Sequence, residues 1–64
     1  MLFALNKFKL GEKVRFVGWD ENNYWHGKDG IVEYFGDNTV TVSFKTKFHT
    51  CYKRCDIKDV IRLS

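Results

Sequence analysis

Two histidines and two cysteines are the residues of this chain best suited to metal binding or nucleophilic chemistry: His26, His49, Cys51 and Cys55. The order His-x-Cys-x-x-x-Cys lacks the paired Cys-x-x-Cys knuckles of structural zinc sites. Two residues four apart on one strand are separated by ~13 Å, too far for one metal ion or a disulfide unless the chain turns between them. A Cys–His nucleophile would lack a pocket and an orienting group. The pattern predicts free thiols, with no metal site, no cofactor and no catalytic residue.

Gly27 and Gly30 form a two-glycine element of the kind that also occurs in phosphate-binding loops. The glycine-rich run that opens a helix in such loops is missing here. A structural role is therefore favoured, with Gly30 at a bulge or at a close approach of two strands.

Three aromatic residues lie close together in one segment, and a histidine follows directly: Trp19, Tyr24, Trp25 and His26. Exposed rings of this kind stack on nucleic-acid bases and anchor protein interfaces. Alternatively, the rings fold back and plug one open end of a small barrel. Because three rings share one loop, we expect at least one to be exposed, and we predict these four residues to bind a partner.

Residues 38–55 contain no aspartate or glutamate, although the whole chain carries eight acidic residues and a net charge of +3. The stretch combines basic side chains with threonine and serine, which together suit contacts to phosphates. The alternative is an ordinary solvated strand face, where lysines discourage pairing at a sheet edge. The predicted nucleic-acid-binding residues are Arg15, Lys45, Lys47, His49, Lys53 and Arg54.

The elements that position these residues must fit into one small domain. With 64 residues the chain has room for a single domain, residues 1–64, in which 1–10 form an N-terminal extension. Residues 2–5 could add a strand, pack on the barrel or form a dimer contact. The core supplies only ~3–5 kcal/mol of net stability and relies on six Phe, three Tyr and two Trp. A barrel this small has little volume for a catalytic pocket, so we expect neither an enzyme nor a small-molecule substrate.

Apolar residues recur with a period of two, which predicts strands along most of the chain. The first strand covers residues 13–17, and a long loop separates it from the second, at 30–35. In the second strand, Val32 and Tyr34 are predicted to share one face. Turn-forming residues at 36–38 then indicate a hairpin into the third strand.

The third strand has the clearest alternation, and one of its faces carries Val40, Val42 and Phe44. The same parity extends to Phe48 and Tyr52, which are therefore predicted to point inward, with the lysines and His49 opposite. A strand of that length is unusual, so we expect a bend or tight turn near residues 45–47.

Asp56 is predicted to cap one helical turn, residues 57–59, through its carboxylate, and a final strand follows at 60–63. Five short strands close most economically into a barrel, because closure removes exposed edges. The predicted fold class is all-β, a five-stranded small barrel with one short helical turn before the last strand.

This order of elements resembles the Src-homology-3-like small barrels. Residues 27–32, Gly-Lys-Asp-Gly-Ile-Val, resemble the core of the KOW motif, and residues 11–14, Gly-Glu-Lys-Val, resemble its upstream Gly-x-x-Val element. KOW domains occur in ribosomal proteins and transcription elongation factors that contact RNA or RNA polymerase. The loop before Gly27 is several residues longer than a KOW loop.

The long loop is more similar to that of the small stromal photosystem I subunit of the PsaE type. That family also has a Val-Arg strand, a Tyr-Trp pair, a Gly-x-Val strand and a Val-x-Val-x-Phe strand. The corresponding residues here are Val14-Arg15, Tyr24-Trp25, Gly30-Ile31-Val32 and 40–44. This resemblance implies docking on other proteins and no cofactor.

The sequence favours a non-catalytic binding module that contacts RNA or DNA through the basic stretch. The alternative is a protein-binding adaptor or inhibitor that docks on a larger complex through loop residues 19–26. The first residues form too short an apolar run for a signal peptide, and no segment approaches the length of a membrane span. A cytoplasmic location and no membrane partner are therefore expected.

Overall fold

The computed structural model describes residues 8–19 and 23–63, and the fold is all-β. Its elements are β1 (Lys13–Phe16), β2 (Asp29–Gly36), β3 (Thr39–Lys45), β4 (Thr50–Asp56), a 3-10 turn (Ile57–Asp59) and β5 (Val60–Arg62). All strand pairs are antiparallel, in the order β4-β3-β2-β1-β5. These elements confirm the predicted class of five strands with one helical turn before the last. None of the described residues belongs to a helix with the length and apolar character needed to cross a membrane.

One hydrophobic core joins all the strands, and its members are Phe8, Val14, Phe16, Val32, Val40, Val42, Phe44, Cys55 and Val60. The outer strands β4 and β5 share no ladder in the described part of the chain. They nevertheless contribute Cys55 and Val60 to the same core. The sheet therefore wraps around its core in the manner of a barrel without closing.

Phe8 lies within the segment predicted as an N-terminal extension, yet its side chain is only 1% exposed and belongs to the core. The backbone N–H of Gly11 donates to the carbonyl of Val32, which ties this segment to β2. The predictions for residues 2–5 fall outside the described residues.

A bulge in β2 makes the predicted shared face of Val32 and Tyr34 wrong. Val32 pairs with Val42, but Tyr34 pairs with Thr41, so β2 accommodates one extra residue at Glu33. The extra residue reverses the alternation beyond it. Val32 is buried, whereas the side chain of Tyr34 is 63% exposed.

The turn between β3 and β4 reverses the alternation a second time. Phe44 lies opposite Cys51, and residues opposite each other in a ladder point to the same face. Odd-numbered residues of β4 therefore point inward, and the predicted inward positions of Phe48 and Tyr52 are wrong. Both side chains are exposed, and Lys53, predicted to point outward, is half-buried.

The prediction that Asp56 caps the helical turn with its carboxylate is also wrong. Asp56 occupies the N-cap position, but its side chain makes no capping hydrogen bond. The first N–H of the turn, that of Ile57, donates instead to the carbonyl of Asn38 in the β2–β3 hairpin. A neighbouring backbone group thus replaces the side-chain cap.

Candidate nucleic-acid interface

A groove of about 430 Å³ separates the β1–β2 loop from the β3–β4 turn. The loop contributes aromatic rings and the turn contributes basic side chains. The residues that line the groove are Tyr24, Trp25, Thr46, Lys47, Phe48, His49 and Cys51. The predicted aromatic and basic features, which the sequence presents as two separate surfaces, therefore border one groove.

Trp25 anchors the loop to the core. Its half-buried ring lies 4.7 Å, centroid to centroid, from that of Phe44. Tyr24 meets Trp25 edge-on at 4.7 Å and remains 53% exposed. The Lys28 ammonium lies 4.7 Å above the Tyr24 ring. Within this loop Trp25 thus packs against the core, whereas Tyr24 is available at the surface.

Trp19 and His26 form a second aromatic element in the same loop. Their rings stack in parallel with a centroid separation of 3.8 Å. The Nδ1 atom of His26 lies 3.0 Å from the carbonyl oxygen of Gly18, and because a carbonyl only accepts, Nδ1 must donate. Trp19 is 72% exposed, so one face of its ring is held by His26 while much of the side chain faces solvent.

Thr46 shapes the β3–β4 turn. Its hydroxyl donates to the carbonyl of His49 at 2.8 Å and accepts from the N–H groups of Phe48 and His49. A threonine hydroxyl can form a turn of this kind without glycine or proline. The tight turn projects Phe48 into solvent, and 87% of this residue is exposed.

The groove carries a positive charge. Lys47 and His49 are exposed in its lining, and Lys45 is exposed at the end of β3 next to the turn. No carboxylate is among the described residues that line the groove. The described lining therefore offers favourable charge to an anionic ligand.

Three other predicted site residues lie away from this groove. The guanidinium of Arg15 on β1 bonds Asp29 at 2.7 Å, and that hydrogen bond lowers the pKa of the Asp29 carboxyl and raises the pKa of Arg15. Lys53 points inward, with its ammonium 5.2 Å from the Phe16 ring. Arg54 is exposed on the outer face of β4. Arg15 and Lys53 therefore make contacts within the domain and do not lie with the basic residues of the groove.

Phe48 is the groove residue that sequence reasoning missed, because the predicted alternation put its ring in the core. The sequence does contain a local signal for the exposure of Phe48. Thr46 can form the turn with its own hydroxyl, and a turn of four residues between paired positions reverses the faces that follow it.

Both cysteines are free thiols, as predicted. Cys51 is half-buried in the lining of the groove, and Cys55 belongs to the core. Burial raises the pKa of the Cys55 thiol to about 11. Among residues 8–19 and 23–63, no group of three or more histidine, cysteine or acidic side chains is placed to hold a metal ion.

The fold and the groove define a small all-β domain with five antiparallel strands and an aromatic, positively charged groove at one end of its sheet. Comparison with known proteins adds no relative: no family model, no curated protein and no solved structure matches the chain.

Proposed function

We propose that this domain is a non-catalytic module that binds single-stranded RNA or DNA in the groove between the β1–β2 loop and the β3–β4 turn. The observation that carries the proposal is the shared groove, in which exposed rings and basic side chains lie together and no carboxylate belongs to the lining residues that the structure describes. Bases need a surface for stacking and phosphates need positive charge. The groove offers both among its lining residues.

Tyr24 and Phe48 are the proposed stacking residues, one on each wall. Stacking of a base on an aromatic side chain contributes ~1–3 kcal/mol and is tolerant of base identity. Lys47, His49 and the flanking Lys45 are proposed to contact phosphates. Binding is therefore expected to be largely independent of sequence and to weaken as salt concentration rises.

The strand order supports a relation to the Src-homology-3-like barrels, since β5 returns to pair with β1 beside a meander of β1 to β4. We include in the proposal that the domain contacts RNA, as its resemblance to KOW domains implies. A cytoplasmic location also belongs to the proposal, because free thiols such as Cys51 and Cys55 suit a reducing compartment.

Fluorescence anisotropy with a labelled oligouridine, at roughly 50 and 200 mM salt, tests the proposed function. Phe48→Ala should weaken binding about tenfold through lost stacking. Lys47→Gln should lower the dependence of log affinity on log salt by about 0.7, the value for one phosphate contact with a single strand.

Matched controls come from residues with similar exposure elsewhere. Tyr34→Ala removes an exposed ring on the outer face of β2, and Lys58→Gln removes an exposed lysine on the 3-10 turn, at the far end of β4. Both should leave affinity unchanged. Equal losses in the controls and the groove variants, or no binding at low salt, would exclude the groove as a nucleic-acid site.

The second candidate function is protein docking through Trp19, and one observation favours it. Trp19 is 72% exposed, and its stacking on His26 holds it in one orientation. Tryptophan held in this way is typical of interface anchors. If the domain binds no nucleic acid at low salt, this surface becomes the leading candidate, and Trp19→Ala is its first test against any purified partner.

A further inference from the structure

We propose that the nucleic-acid site continues from the groove onto the outer face of β4, with Tyr52 as a further stacking position and Arg54 as a further phosphate contact. This inference rests on the proposed function and extends it. It assigns the domain a site of about four nucleotides, at the short end of the range for single-strand binding domains.

The outer face of β4 has the alternation that such an extension needs. Thr50, Tyr52 and Arg54 are exposed, whereas the residues between them point toward the core. Successive outward residues on a strand are separated by ~7 Å. Tyr52 is 61% exposed, which leaves its ring accessible to a base.

The neighbouring strand leaves room beside Tyr52. Its partner across the ladder is Ser43, a small residue that is only 6% exposed. The Ser43 hydroxyl donates to the Glu33 carboxylate at 2.7 Å, so it is held down in the sheet. The partner of Arg54 is Thr41, also short. A base on Tyr52 therefore meets no large side chain from β3.

Arg54 is the arginine best placed to reach a phosphate. Arg15 and Arg62 are held in ion pairs with Asp29 and Glu12, whereas Arg54 makes no ion pair with any residue in the described ranges. Lys45, opposite Thr50, supplies positive charge at the start of the same path. The exposed face of β3 and β4 thus has a basic residue at each end, Lys45 and Arg54, and the Glu33 carboxylate between them is engaged by the Ser43 hydroxyl.

Acidic residues set the far limit of the path. Asp37 borders the same shallow depression as Arg54, and Asp56 is the next outward residue on β4. Their carboxylates repel a phosphate beyond Arg54. A single strand that enters the groove and crosses the turn at Phe48 therefore ends its contacts at Arg54.

Binding of oligouridines of two and six nucleotides, measured by NMR titration at low salt, tests this extension. Tyr52→Thr, which keeps a residue suited to strands, should weaken binding of the hexanucleotide about tenfold and leave the dinucleotide unaffected. Arg54→Gln should act in the same way. Ile61→Thr changes an exposed apolar residue on β5, which three strands separate from β4 in the strand order, and is the control that should change neither.

The two proposals fail in different ways. If Phe48→Ala weakens both oligonucleotides but Tyr52→Thr and Arg54→Gln weaken neither, the groove binds nucleic acid and the extension along β4 is wrong. Equal affinities of the unaltered domain for two and six nucleotides would also overturn the extension. If neither oligonucleotide binds to the unaltered domain, both proposals are overturned together.

Discussion

At the scale of single residues, Gly30 marks a close approach of β2 to β3. A Cβ atom at this position would collide with the carbonyl oxygen of Ser43 and with the side chain of Val42. The obstacle includes backbone, so rotation of a side chain cannot relieve it. The predicted role of Gly30 at a close approach of strands is confirmed.

Gly30→Ala should therefore destabilise the domain by roughly 3 kcal/mol, the upper part of the range for overpacking in a core. That loss is comparable with the whole stability expected of so small a domain. Gly27→Ala is the matched control, because its φ of +83° introduces strain but the space around it is open. In urea unfolding, the stability of Gly27→Ala should lie between those of Gly30→Ala and the unaltered domain. A Gly27→Ala variant less stable than Gly30→Ala would contradict this account.

The two thiols should differ in reactivity. Cys55 is buried and its pKa is raised to about 11, so it remains protonated in the folded domain at pH 8. Cys51 is half-buried in the groove and is the accessible thiol. A colorimetric thiol reagent at about pH 8 should modify one cysteine in the native domain and both in denaturant. Cys51→Ser should abolish the native reaction, and persistence of that reaction would show that Cys55 is reached.

At the scale of elements, the β3–β4 turn determines both the site and the faces of β4. The threonine hydroxyl holds the turn through three hydrogen bonds. The four residues between Lys45 and Thr50 then determine which side chains of β4 point inward. Loss of the hydroxyl should therefore affect the position of Phe48 before it affects the core.

Thr46→Val keeps the shape of the side chain and removes its hydrogen bonds. We expect a loss of about 1.5 kcal/mol in stability, because three exposed hydrogen bonds are removed and each contributes at the low end of the usual range. We also expect a severalfold weaker affinity for oligouridine. Thr39→Val is a suitable control, since it makes the same change at the other end of β3, opposite Asp56. If Thr46→Val binds oligouridine as tightly as the unaltered domain, the hydrogen bonds of the Thr46 hydroxyl are not needed to position Phe48 for binding.

The sequence predicts each strand where alternation is uninterrupted. Val14 and Phe16 in β1, and the inward residues of β3, are buried as expected. The turn predicted near residues 45–47 is also confirmed, since β3 ends at Lys45 and β4 begins at Thr50. The prediction of inward and outward faces fails beyond an inserted residue and beyond this turn. The bulge at Glu33 and the turn at Thr46 each depend on tertiary pairing, and each reverses the faces that follow. Phe48 and Tyr52 were consequently missed as surface residues.

At the scale of the whole molecule, ion pairs connect distant parts of the chain. The Glu12 carboxylate accepts from the backbone N–H of Lys9 at 2.9 Å and from Arg62 of β5 at 2.6 Å. The backbone hydrogen bond, followed by the contact with Arg62, lowers the pKa of Glu12. The hydrogen bond from Arg15 lowers the pKa of Asp29 in the same way.

Stability should therefore fall in acid. A carboxyl with a lowered pKa contributes stability above its unfolded value and loses it as the pH falls through its folded value. The ordinary values are 4.5 for Glu12 and 3.8 for Asp29. The midpoint of urea unfolding should thus be lower at about pH 2 than at about pH 6, and the double variant E12Q/D29N should show a smaller difference. If the double variant loses as much stability in acid as the unaltered domain, other groups cause the acid effect.

The pairing of β1 with β5 has a consequence for the order of folding. Val14 pairs with Arg62 near the opposite end of the described chain, whereas β2, β3 and β4 pair with their neighbours in sequence. Contacts between distant residues require closure of a long loop and form late. The β3–β4 turn, which forms one side of the groove, connects two strands that are neighbours in sequence and is expected to assemble early. The loop on the other side of the groove connects β1 to β2, whose ladder also joins neighbours in sequence, so the groove is expected to assemble before the β1–β5 ladder closes the long loop.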